Sequence, residues 1–545
     1  MLNLALSPNP GSPFGWGICT LNLEKELRKK TDIRVLPYEE NTKRANGKVL
    51  HAISDVRFET TSKYVGDYNA GYCFFELDLT PDSLTNAMSF DHIFCGSTFN
   101  RNVLAYYDLF HTSVLLQGVD HKMFNVAPPK IDNGKFVIFS GGKFEYRKGQ
   151  DLVMAAFKAL MDKYKDIHLV TVWETMWAQT VDTMQHSTYV NFDVPKSANG
   201  WEEFIGYFCN KNDIPPDRVT HYPLLSQDRI SALMEETDIG VFPNRCEGGT
   251  NLMLMEYMAK QRPVIASYNT GHKDILNKDN AILLHNNKVR PIKPFAGYDW
   301  SAHWCEPDIN ELVSNLEWAY LHRDELKKYG REAAESMKQY TWDKSAECVV
   351  NQVCDAEIDR PDYLAHRYVL GNLLTRMGYT GEGAEIGVWA GTLSRFIYSR
   401  WLGKKLHLID RWKEADDYQD ILNKPQEEQE KLYENVKEIF GNKDDVNIIR
   451  DESLNAAKQF KDGQLDWVYI DADHAKAKDD LKAWVPKVRV GGLVSGDDYI
   501  DEVGKNGVFT VKSDVDEFVA KHGYNLQLSA DKDNKYRSWY FIKDH

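Results

Sequence analysis

Four side chains in the last quarter of the chain have the types and the spacing that suit metal-assisted proton transfer. In the stretch LDWVYIDADHAKAKDDLKAWVPKVRVGGLVSGDDYID, Asp471 ends one apolar run and His474 follows it. Asp497 and Asp498 end the next run. Neighbouring parallel strands would bring these ends to one sheet edge, where clustered carboxylates suit Mg²⁺ and a histidine suits a general base. A lone acid at a strand end is more often a helix cap or a turn residue, so the clustering carries this prediction.

A glycine turn that precedes these acids suits a nucleotide-like cofactor. The stretch GAEIGVWAGTLS predicts a strand, a turn that contains Gly387 and Gly391, and a helix. The next run, KLHLID, ends in Asp410, where an acid binds ribose hydroxyls in nucleotide-binding α/β units. The turn is G-V-W-A-G rather than G-x-G-x-x-G, which favours S-adenosylmethionine over NAD. Asp451 to Ser453, at the end of the third run, are predicted to face the adenine.

Earlier in the chain, the stretch FSGGKFEYRKGQDL suits a diphosphate. Its strand ends in Gly141 and Gly142, where the backbone can approach a ligand closely. Lys143 and Lys148 are placed to reach a diphosphate as point charges. A glycine pair of this kind is by itself more often only a turn between a strand and a helix.

A second stretch, FPNRCEGGTNLMLMEYMAKQRPVIAS, lies about 100 residues further on. Gly249, Thr250 and Asn251 precede a predicted helix, whose free amide groups and positive end would face an anion. Glu256 in that helix is a candidate for binding ribose hydroxyls. Glu247 and Glu256 taken alone are more often solvated helix charges, but the two stretches in this order favour a binding site.

The elements around these residues are typical of parallel α/β sheets. Apolar runs such as FVIFSGG, IHLVTVW, IGVFPN and PVIAS alternate with helical segments such as GQDLVMAAFKALMDKY and SQDRISALMEET. A polar linker around Pro128 and Pro129 and a charged join, DAEIDRPDY, divide the chain. The predicted units span residues 1–130, 131–355 and 362–545, and the first two are expected to act as a pair.

Composition excludes several classes of function. The net charge of −15 argues against nucleic acid as the main partner, because phosphate binding needs clustered Lys and Arg. The sequence shows neither a membrane-spanning apolar run nor a signal peptide. The eight cysteines are scattered without metal-finger spacing, which favours a reducing cytoplasm. A peripheral position at a membrane stays open if the acceptor is lipid-linked.

Residues 1–350 resemble the two-domain, GT-B-fold retaining glycosyltransferases related to glycosyltransferase family 4. The resemblance rests on the two stretches above and on GWGICTLNLEKEL, GSTFNRNVL, GVDHKMF, GHKDILNKDNAILL and YTWDKSA. It implies a nucleotide-sugar donor whose diphosphate binds Lys143 and Lys148 and whose ribose binds Glu256. It also implies that Lys148 and Glu247 act at the catalytic centre, and that no metal is needed there.

This sequence departs from that family at the first glutamate. Glu247 and Glu256 have eight residues between them, one more than the usual spacing. Either the loop bulges and Glu247 still reaches the sugar, or the amides of Gly248 to Asn251 replace it. The stretch GYCFFELDL resembles a segment that faces the cleft, so Glu76 is expected either to touch substrate or to lie in a core strand. His51 is a weak match to a family histidine.

Residues 362–545 resemble class I S-adenosylmethionine-dependent O-methyltransferases, most nearly the sugar O-methyltransferases of macrolide biosynthesis. The resemblance implies a metal held by Asp471, Asp497 and Asp498, with His474 as the base. GVFTVKSDVDEF and YRSWYFIK resemble the last helix and hairpin of that fold. The predicted cofactor-binding residues of this part are Glu385, Gly387, Gly391, Asp410, Asp451 and Ser453.

The sequence as a whole predicts a bifunctional enzyme of glycan synthesis. One part would transfer a sugar to a saccharide acceptor, and the other would methylate a sugar hydroxyl. Fusion would raise the local concentration of one site's product at the other site. Two alternatives stay open: a methyltransferase with a glycan-binding module derived from the GT-B fold, and a nucleotide-sugar hydrolase or synthase. The sequence does not indicate the donor sugar, the acceptor or the oligomeric state.

Overall fold

The computed structural model shows mixed α/β units built on parallel sheets, so the predicted fold class is confirmed. It describes residues 1–6, 14–53, 56–107, 109, 111–131, 133–194, 200–355, 364, 366–414, 423–504, 507–529 and 535–545. The charged join DAEIDRPDY lies almost wholly outside the described residues. Within the described part, no helix combines the length and the apolar character needed to cross a membrane.

The first unit is a parallel sheet with helices packed on it. Its elements are β1 Leu2–Ala5, α1 Gly15–Leu27, β2 Ile33–Val35, β3 Lys43–Arg44, β4 Lys48–Ala52, β5 Tyr64–Val65, β6 Tyr68–Cys73, α2 Pro81–Ala87, β7 His92–Cys95, α3 Thr98–Tyr106 and β8 Thr112–Val114. The strand order is β2-β1-β4-β6-β7-β8, and β3 pairs separately with β5. Strand β4 is buried along its whole length, as expected when helices cover both faces of a parallel sheet.

The second unit repeats this arrangement. Its elements are β9 Phe136–Gly142, α4 Gln150–Met161, β10 Ile167–Trp173, α5 Ala178–Asp182, α6 Trp201–Lys211, β11 Val219–His221, α7 Gln227–Glu235, β12 Ile239–Phe242, α8 Leu252–Ala259, β13 Val264–Ser267, β14 Ile282–Leu284, β15 Asn287–Ile292, β16 Ala302–Pro307, α9 Ile309–Leu321, α10 Arg323–Met337 and α11 Trp342–Val349. The sheet order is β11-β10-β9-β12-β13-β14, and β15 and β16 form an antiparallel hairpin. The order reverses between β9 and β12, and such a switch point opens a crevice for ligands.

The two units are joined a second time by the helix after the second sheet. Trp342, Ala346 and Val349 of α11 pack into the core of the first sheet with Leu2 and Leu50. The chain therefore crosses between the units twice, which restrains their relative movement.

The third unit is a mixed sheet. Its elements are α12 Leu370–Arg376, β17 Glu382–Ile386, α13 Thr392–Arg400, β18 Lys405–Asp410, α14 Gln426–Phe440, β19 Val446–Arg450, α15 Ser453–Ala456, β20 Leu465–Ile470, α16 Ala477–Trp484, β21 Val488–Gly496, β22 Asp501–Gly504, β23 Gly507–Thr510, α17 Val511–His522, β24 Gln527–Leu528 and β25 Trp539–Lys543. The order is β19-β18-β17-β20-β21-β25-β24, in which β25 runs antiparallel to both of its neighbours. A second switch point lies between β17 and β20.

The third unit packs on the first through polar contacts. Asn372 of α12 donates to the carbonyl of Ser89 at 3.0 Å, and Arg400 of α13 donates to the Ser89 hydroxyl at 2.8 Å. Arg376 pairs with Asp91 at 3.5 Å, and both side chains are buried. These contacts fix the third unit against one edge of the first.

Candidate functional sites

A cluster of buried charges lies at the switch point of the second sheet. Lys148 Nζ is 2.6 Å from Glu247 Oε1, and Arg147 is 3.4 Å from the same oxygen. Burial alone would raise the pKa of Glu247, but Lys148 and Arg147 outweigh it and hold this pKa at about 2. Glu247 thus lies beside Lys148 and Arg147 despite the extra residue in its loop. Its contact with a sugar stays a prediction.

Backbone geometry brings the two halves of this cluster together. Gly149 has φ +77°, and a Cβ there would lie 2.4 Å from the carbonyl oxygen of Pro243. Only glycine allows this approach. The loop after β12 then bonds to the turn that carries the cations: Arg245 N donates to Arg147 O, and Arg147 donates to Cys246 O, each at 2.7 Å.

The residues before α8 are predicted to bind an anion. Asn251 is the N-cap of α8, with φ 65°, and its side chain accepts from Leu254 N at 3.4 Å. Gly249 lies against Gly271, where a Cβ would be 1.8 Å from the Gly249 carbonyl oxygen. The hydroxyl of Thr250 is buried and donates to the sulfur of Met255 at 3.0 Å. Thr250 thus uses its side chain within the protein, which leaves backbone amides as its means of anion binding.

The first unit contributes Glu76 to the same cluster. Its carboxylate accepts from Gly248 N at 3.3 Å and lies 3.3 Å from Arg147. Ser97 of the first unit donates to the Gly248 carbonyl at 2.7 Å. Glu76 follows β6 rather than lying in a core strand, and its carboxylate is paired where the two units meet; its contact with substrate stays a prediction.

Lys143 and Glu256, the other predicted donor-binding side chains, form no hydrogen bond or ion pair with Glu247 in the described part of the chain. Lys143 pairs with Glu145 at 3.0 Å, and its Nζ lies 5.2 Å from the ring centre of Trp177. Glu256 is buried in α8; burial, followed by the nearby charge of Asp120, raises its pKa to about 8. Among the described residues, Glu256 forms no ion pair with the charged side chains of the cluster. Its role in ribose binding stays a prediction.

Arg147 is the residue of this site that the sequence does not single out. It is buried and pairs with Glu145 as well as with Glu76 and Glu247. Its only sequence signal is its position beside Lys148, and whether a basic residue in such a turn faces inward is decided by the fold. His51 is not part of the site: it is buried in β4 and bonded to Asn69 at 3.0 Å.

A cavity of about 700 Å³ lies at the switch point of the third sheet. This volume is within the usual range of small-molecule sites, about 300–1,000 Å³. The predicted residues that line it are Glu385, Gly387, Asp410, Asp451, Ser453, Asp471 and His474. These predicted residues come from four separate stretches of chain, and they line one continuous surface.

Glu385 and Gly387 form the floor of the cavity. Gly387 has φ +91°, and a Cβ there would lie 1.8 Å from Asp471 O, so only glycine lets the ends of β17 and β20 meet. Gly391, with φ +77°, precedes α13. Burial raises the pKa of Glu385 to about 8, and its Oε2 atom has no hydrogen-bond partner among the described residues. A buried carboxylate with one unpartnered oxygen at a cavity wall suits a cationic ligand.

Asp410 and Ser453 are engaged within the protein. The Asp410 carboxylate accepts from the backbone N–H groups of Val388, Trp389 and Trp412 at 2.8–2.9 Å. It therefore also holds the glycine turn in place. Ser453 donates to Asp480 and accepts from Trp484 Nε1. The predicted contacts of Asp410 with ribose and of Asp451 to Ser453 with adenine stay predictions.

Asp471, His474 and Asp498 form a group whose ligand atoms all lie within 4.8 Å of one another. His474 Nε2 is 3.2 Å from Asp471 Oδ1 and 3.1 Å from Asp498 Oδ2. The imidazole ring stacks on Phe509 with the ring centres 4.6 Å apart. Two carboxylates and one imidazole are a donor set that suits a divalent cation.

Asp497, a predicted metal ligand, is not part of the group formed by Asp471, His474 and Asp498. Its carboxylate pairs with Arg367 and accepts from the Ser538 hydroxyl at 3.0 Å. Asp498 has φ 54°, so the chain turns sharply between the two acids and sends them to different partners. Arg367, which also lines the cavity, is the second residue that the sequence does not single out.

Two protein families match parts of this chain. The family described as "Methyltransferase domain" matches residues 384–499, which include the cavity and the cluster of acids. The family described as "Glycosyl transferases group 1" matches residues 210–292, which include Glu247 and Glu256. The chain carries a methyltransferase domain and a glycosyltransferase domain. Comparison with curated protein sequences gives no match.

Solved structures of several glycosyltransferases and related synthases are similar to parts of the chain. Sucrose-phosphate synthase from Thermosynechococcus elongatus is 13% identical over 65% of this chain and 99% of its own, with a TM-score of 0.47. Anabaena Alr3699/HepE, solved with UDP, is 12% identical over 65% and 99%, with a TM-score of 0.44. A UDP-forming trehalose-phosphate synthase from Burkholderia xenovorans is 13% identical over 53% and 68%, with a TM-score of 0.38. At these scores the two domains are assigned from the family matches alone.

Proposed function

We propose that the chain is a bifunctional enzyme that transfers a sugar from a nucleotide-sugar donor to a glycan and methylates a sugar hydroxyl with S-adenosylmethionine. The observation that carries the proposal is the pair of switch-point sites, each lined by residues suited to its ligand. The proposed domains are residues 1–130 and 131–355 for glycosyl transfer and residues 362–545 for methyl transfer.

Lys148 and Arg147 would stabilise the donor diphosphate as negative charge develops on it. Both cations are already held in place by Glu247, so little reorganisation is needed when the donor binds. The amides of Gly249 to Asn251 would add donors at the start of α8. Glu247 would contact the transferred sugar and Glu256 the ribose. The proposed outcome at the anomeric carbon is retention.

Glu385 would face the methionine end of S-adenosylmethionine, which carries two cationic groups. The glycine turn at Gly387 lets the backbone approach this ligand, and Asp410 holds the turn. Asp451 and Ser453 would lie at the adenine end of the cavity. The cavity and the unpartnered Oε2 atom of Glu385 are the features of the structure that suit this cofactor.

Asp471, His474 and Asp498 would hold a divalent cation, probed most simply as Mg²⁺. Such an ion, when bound, lowers the pKa of a coordinated hydroxyl. In this arrangement His474 is a ligand rather than the base predicted from the sequence. The geometry favours the ligand role because Nε2 faces both carboxylates. Asp497, paired with Arg367, is proposed to position Arg367 at the cavity wall.

Ligand-induced stabilisation of the intact chain tests both activities together. UDP, GDP, dTDP and their common nucleotide sugars, and separately S-adenosylhomocysteine, are added at about 100 times the dissociation constant. Each ligand should stabilise its own domain by about 2.7 kcal/mol. We expect Lys148→Met to remove the nucleotide effect alone and Glu385→Gln to remove the S-adenosylhomocysteine effect alone. Stabilisation by S-adenosylhomocysteine with no response to any nucleotide or nucleotide sugar would contradict the glycosyl-transfer half and favour a glycan-binding module.

Binding of Mn²⁺, followed by electron paramagnetic resonance, distinguishes the two roles of His474. As a ligand, His474 is required for binding, so His474→Gln should weaken Mn²⁺ about as much as Asp498→Asn does. A base that does not touch the ion would leave Mn²⁺ binding intact while methyl transfer is lost. Asp479→Asn, an exposed acid on α16 at the cavity rim, is the control and should not change Mn²⁺ affinity.

A further inference from the structure

The β15–β16 hairpin reaches from the second sheet to the first unit. Its connecting segment, residues 293–301, ends at Ser301, whose carbonyl accepts from Asp78 N at 2.9 Å. The Ser301 hydroxyl donates to the Asp78 carboxylate at 2.8 Å, and His303 Nδ1 lies 3.0 Å from the same group. Asp78 of the first unit therefore makes three contacts with the hairpin.

This attachment lies beside the glycosyltransferase site. Trp304 Nε1 donates to the Glu76 carbonyl at 2.6 Å, and the Glu76 carboxylate contacts Arg147 and Gly248. Two residues of chain span at most about 7 Å, so Asp78 and the hairpin are close to Glu76. Whatever binds at the end of the hairpin is within a few sugar units of the charged cluster.

The end of the hairpin carries an aromatic stack, which we name the aromatic tip (Phe295, Tyr298 and Trp300). Tyr298 and Trp300 are stacked with ring centres 4.4 Å apart, and Phe295 meets Trp300 edge-on at 6.1 Å. The Arg57 guanidinium lies 5.3 Å from the Trp300 ring centre. Trp300 is thus covered from several sides, whereas Tyr298 remains 49% exposed.

The aromatic tip is ordered by local contacts rather than by burial. Gly297, with φ +82°, allows the tight turn, and Lys293 pairs with Asp299 at 2.5 Å. An aromatic side chain has only two torsions to fix, so an exposed aromatic face costs little entropy when a ligand binds. The surrounding polar groups, the Asp299 carboxylate and the imidazole of His303, offer hydrogen bonds around an apolar centre.

We propose that the aromatic tip is a binding platform for a neutral saccharide, the part of the acceptor glycan that extends out of the cleft. The apolar C–H face of a sugar ring packs on the exposed face of Tyr298, and its hydroxyls bond to the polar rim. This deepens the proposed glycosyl transfer and rests on it for the identity of the ligand as an acceptor. The position beside Glu76 is what favours a saccharide over a protein partner.

Saturation-transfer NMR on the intact chain tests the platform, with maltohexaose, cellohexaose and chitohexaose as separate probes at concentrations up to about 10 mM. We expect at least one probe to bind and Tyr298→Ala to weaken that binding about tenfold. Tyr38→Ala removes another exposed tyrosine of similar exposure, 53%, away from the hairpin, and should leave binding unchanged. UDP stabilisation measured on the same variants should be unaffected.

Equal binding by the wild type and Tyr298→Ala, or no binding of any probe, would overturn the platform. Loss of probe binding together with loss of UDP stabilisation would also count against it, because it would indicate disruption of the site rather than of the tip. If none of UDP, GDP and dTDP stabilises the wild type while a probe still binds through Tyr298, the donor site is contradicted and the platform stands as a glycan-binding surface.

Discussion

At the residue scale, Glu385 is the side chain whose protonation should respond to the cofactor. Its pKa of about 8 means that the ligand-free protein holds a proton there at pH 7. A cationic ligand favours the carboxylate, so binding of S-adenosylmethionine should release a proton and tighten as pH rises from about 6 to 9. Calorimetric titration in buffers of different ionisation enthalpy measures this release. Glu385→Gln should abolish it and weaken binding.

The sign of the effect on stability is opposite to that on binding. Because the folded pKa of about 8 lies above the ordinary value of 4.5, the folded state binds more protons between these values. The contribution of Glu385 to the free energy of unfolding is therefore largest below pH 4.5 and falls as pH rises through 8. Glu382→Gln changes a partly exposed carboxylate on the same strand, so it is the control for the effects of Glu385→Gln. If Glu385→Gln still releases a proton when S-adenosylmethionine binds, the proton comes from another group.

Lys148 and Glu247 form an ion pair, so their contributions to the free energy of unfolding should be coupled. Lys148→Met would leave the Glu247 carboxylate buried with only Arg147 to neutralise it, which should cost up to about 3 kcal/mol. In the double variant Lys148→Met, Glu247→Gln, most of this loss should be recovered. Urea unfolding of both single variants and the double variant measures the coupling. Lys143→Met, at a more exposed pair, is the control.

The pair also predicts a pH dependence. The Glu247 pKa of about 2 lies below its ordinary 4.5, so its stabilising contribution is present above pH 4.5 and is lost as pH falls towards 2. The cost of Lys148→Met should therefore shrink in acid. A cost that is the same at pH 7 and pH 3 would show that packing, rather than charge, is lost.

At the scale of elements, the turn after β17 depends on a residue without a side chain. Gly387→Ala places a Cβ 1.8 Å from the Asp471 carbonyl oxygen and also strains φ +91°. The ends of β17 and β20 must then separate, which should abolish S-adenosylhomocysteine binding and lower the melting temperature. Gly378→Ala has a comparable φ of +74° but open space, so it should cost only the strain of about 1–2 kcal/mol. Equal effects of the two variants would contradict a role for the close approach.

At the scale of the whole molecule, the methyltransferase domain is fixed to the first unit by Arg376 and Asp91. Arg376→Ala would leave the buried Asp91 carboxylate without its cation, and should cost about 3–5 kcal/mol. We expect calorimetry to show a separate, earlier transition and small-angle scattering to show a longer particle. Arg395→Ala removes an exposed pair with Asp82 across the same border and should change neither measurement. A single unchanged transition in Arg376→Ala would mean that other contacts hold the domain.

The sequence by itself determined the α/β class and the position of most candidate residues. Alternating apolar runs and helices specify parallel sheets, and such sheets bring their ligand-facing residues to the carboxyl ends of the strands. Gly387 and Gly391 lie within a few residues of the end of β17. Asp471 and His474 lie within a few residues of the end of β20. Local spacing therefore indicates where they lie, and Gly387, Asp471 and His474 do line the same cavity.

Only the tertiary structure decided which side chains meet. Asp497 and Asp498 are adjacent in sequence, yet one pairs with Arg367, 130 residues away, and the other lies beside His474. Arg147 and Glu76 likewise belong to different units and meet only where these units touch. The physical reason is that a charged side chain takes the partner that compensates its burial, and that partner depends on contacts between distant parts of the chain.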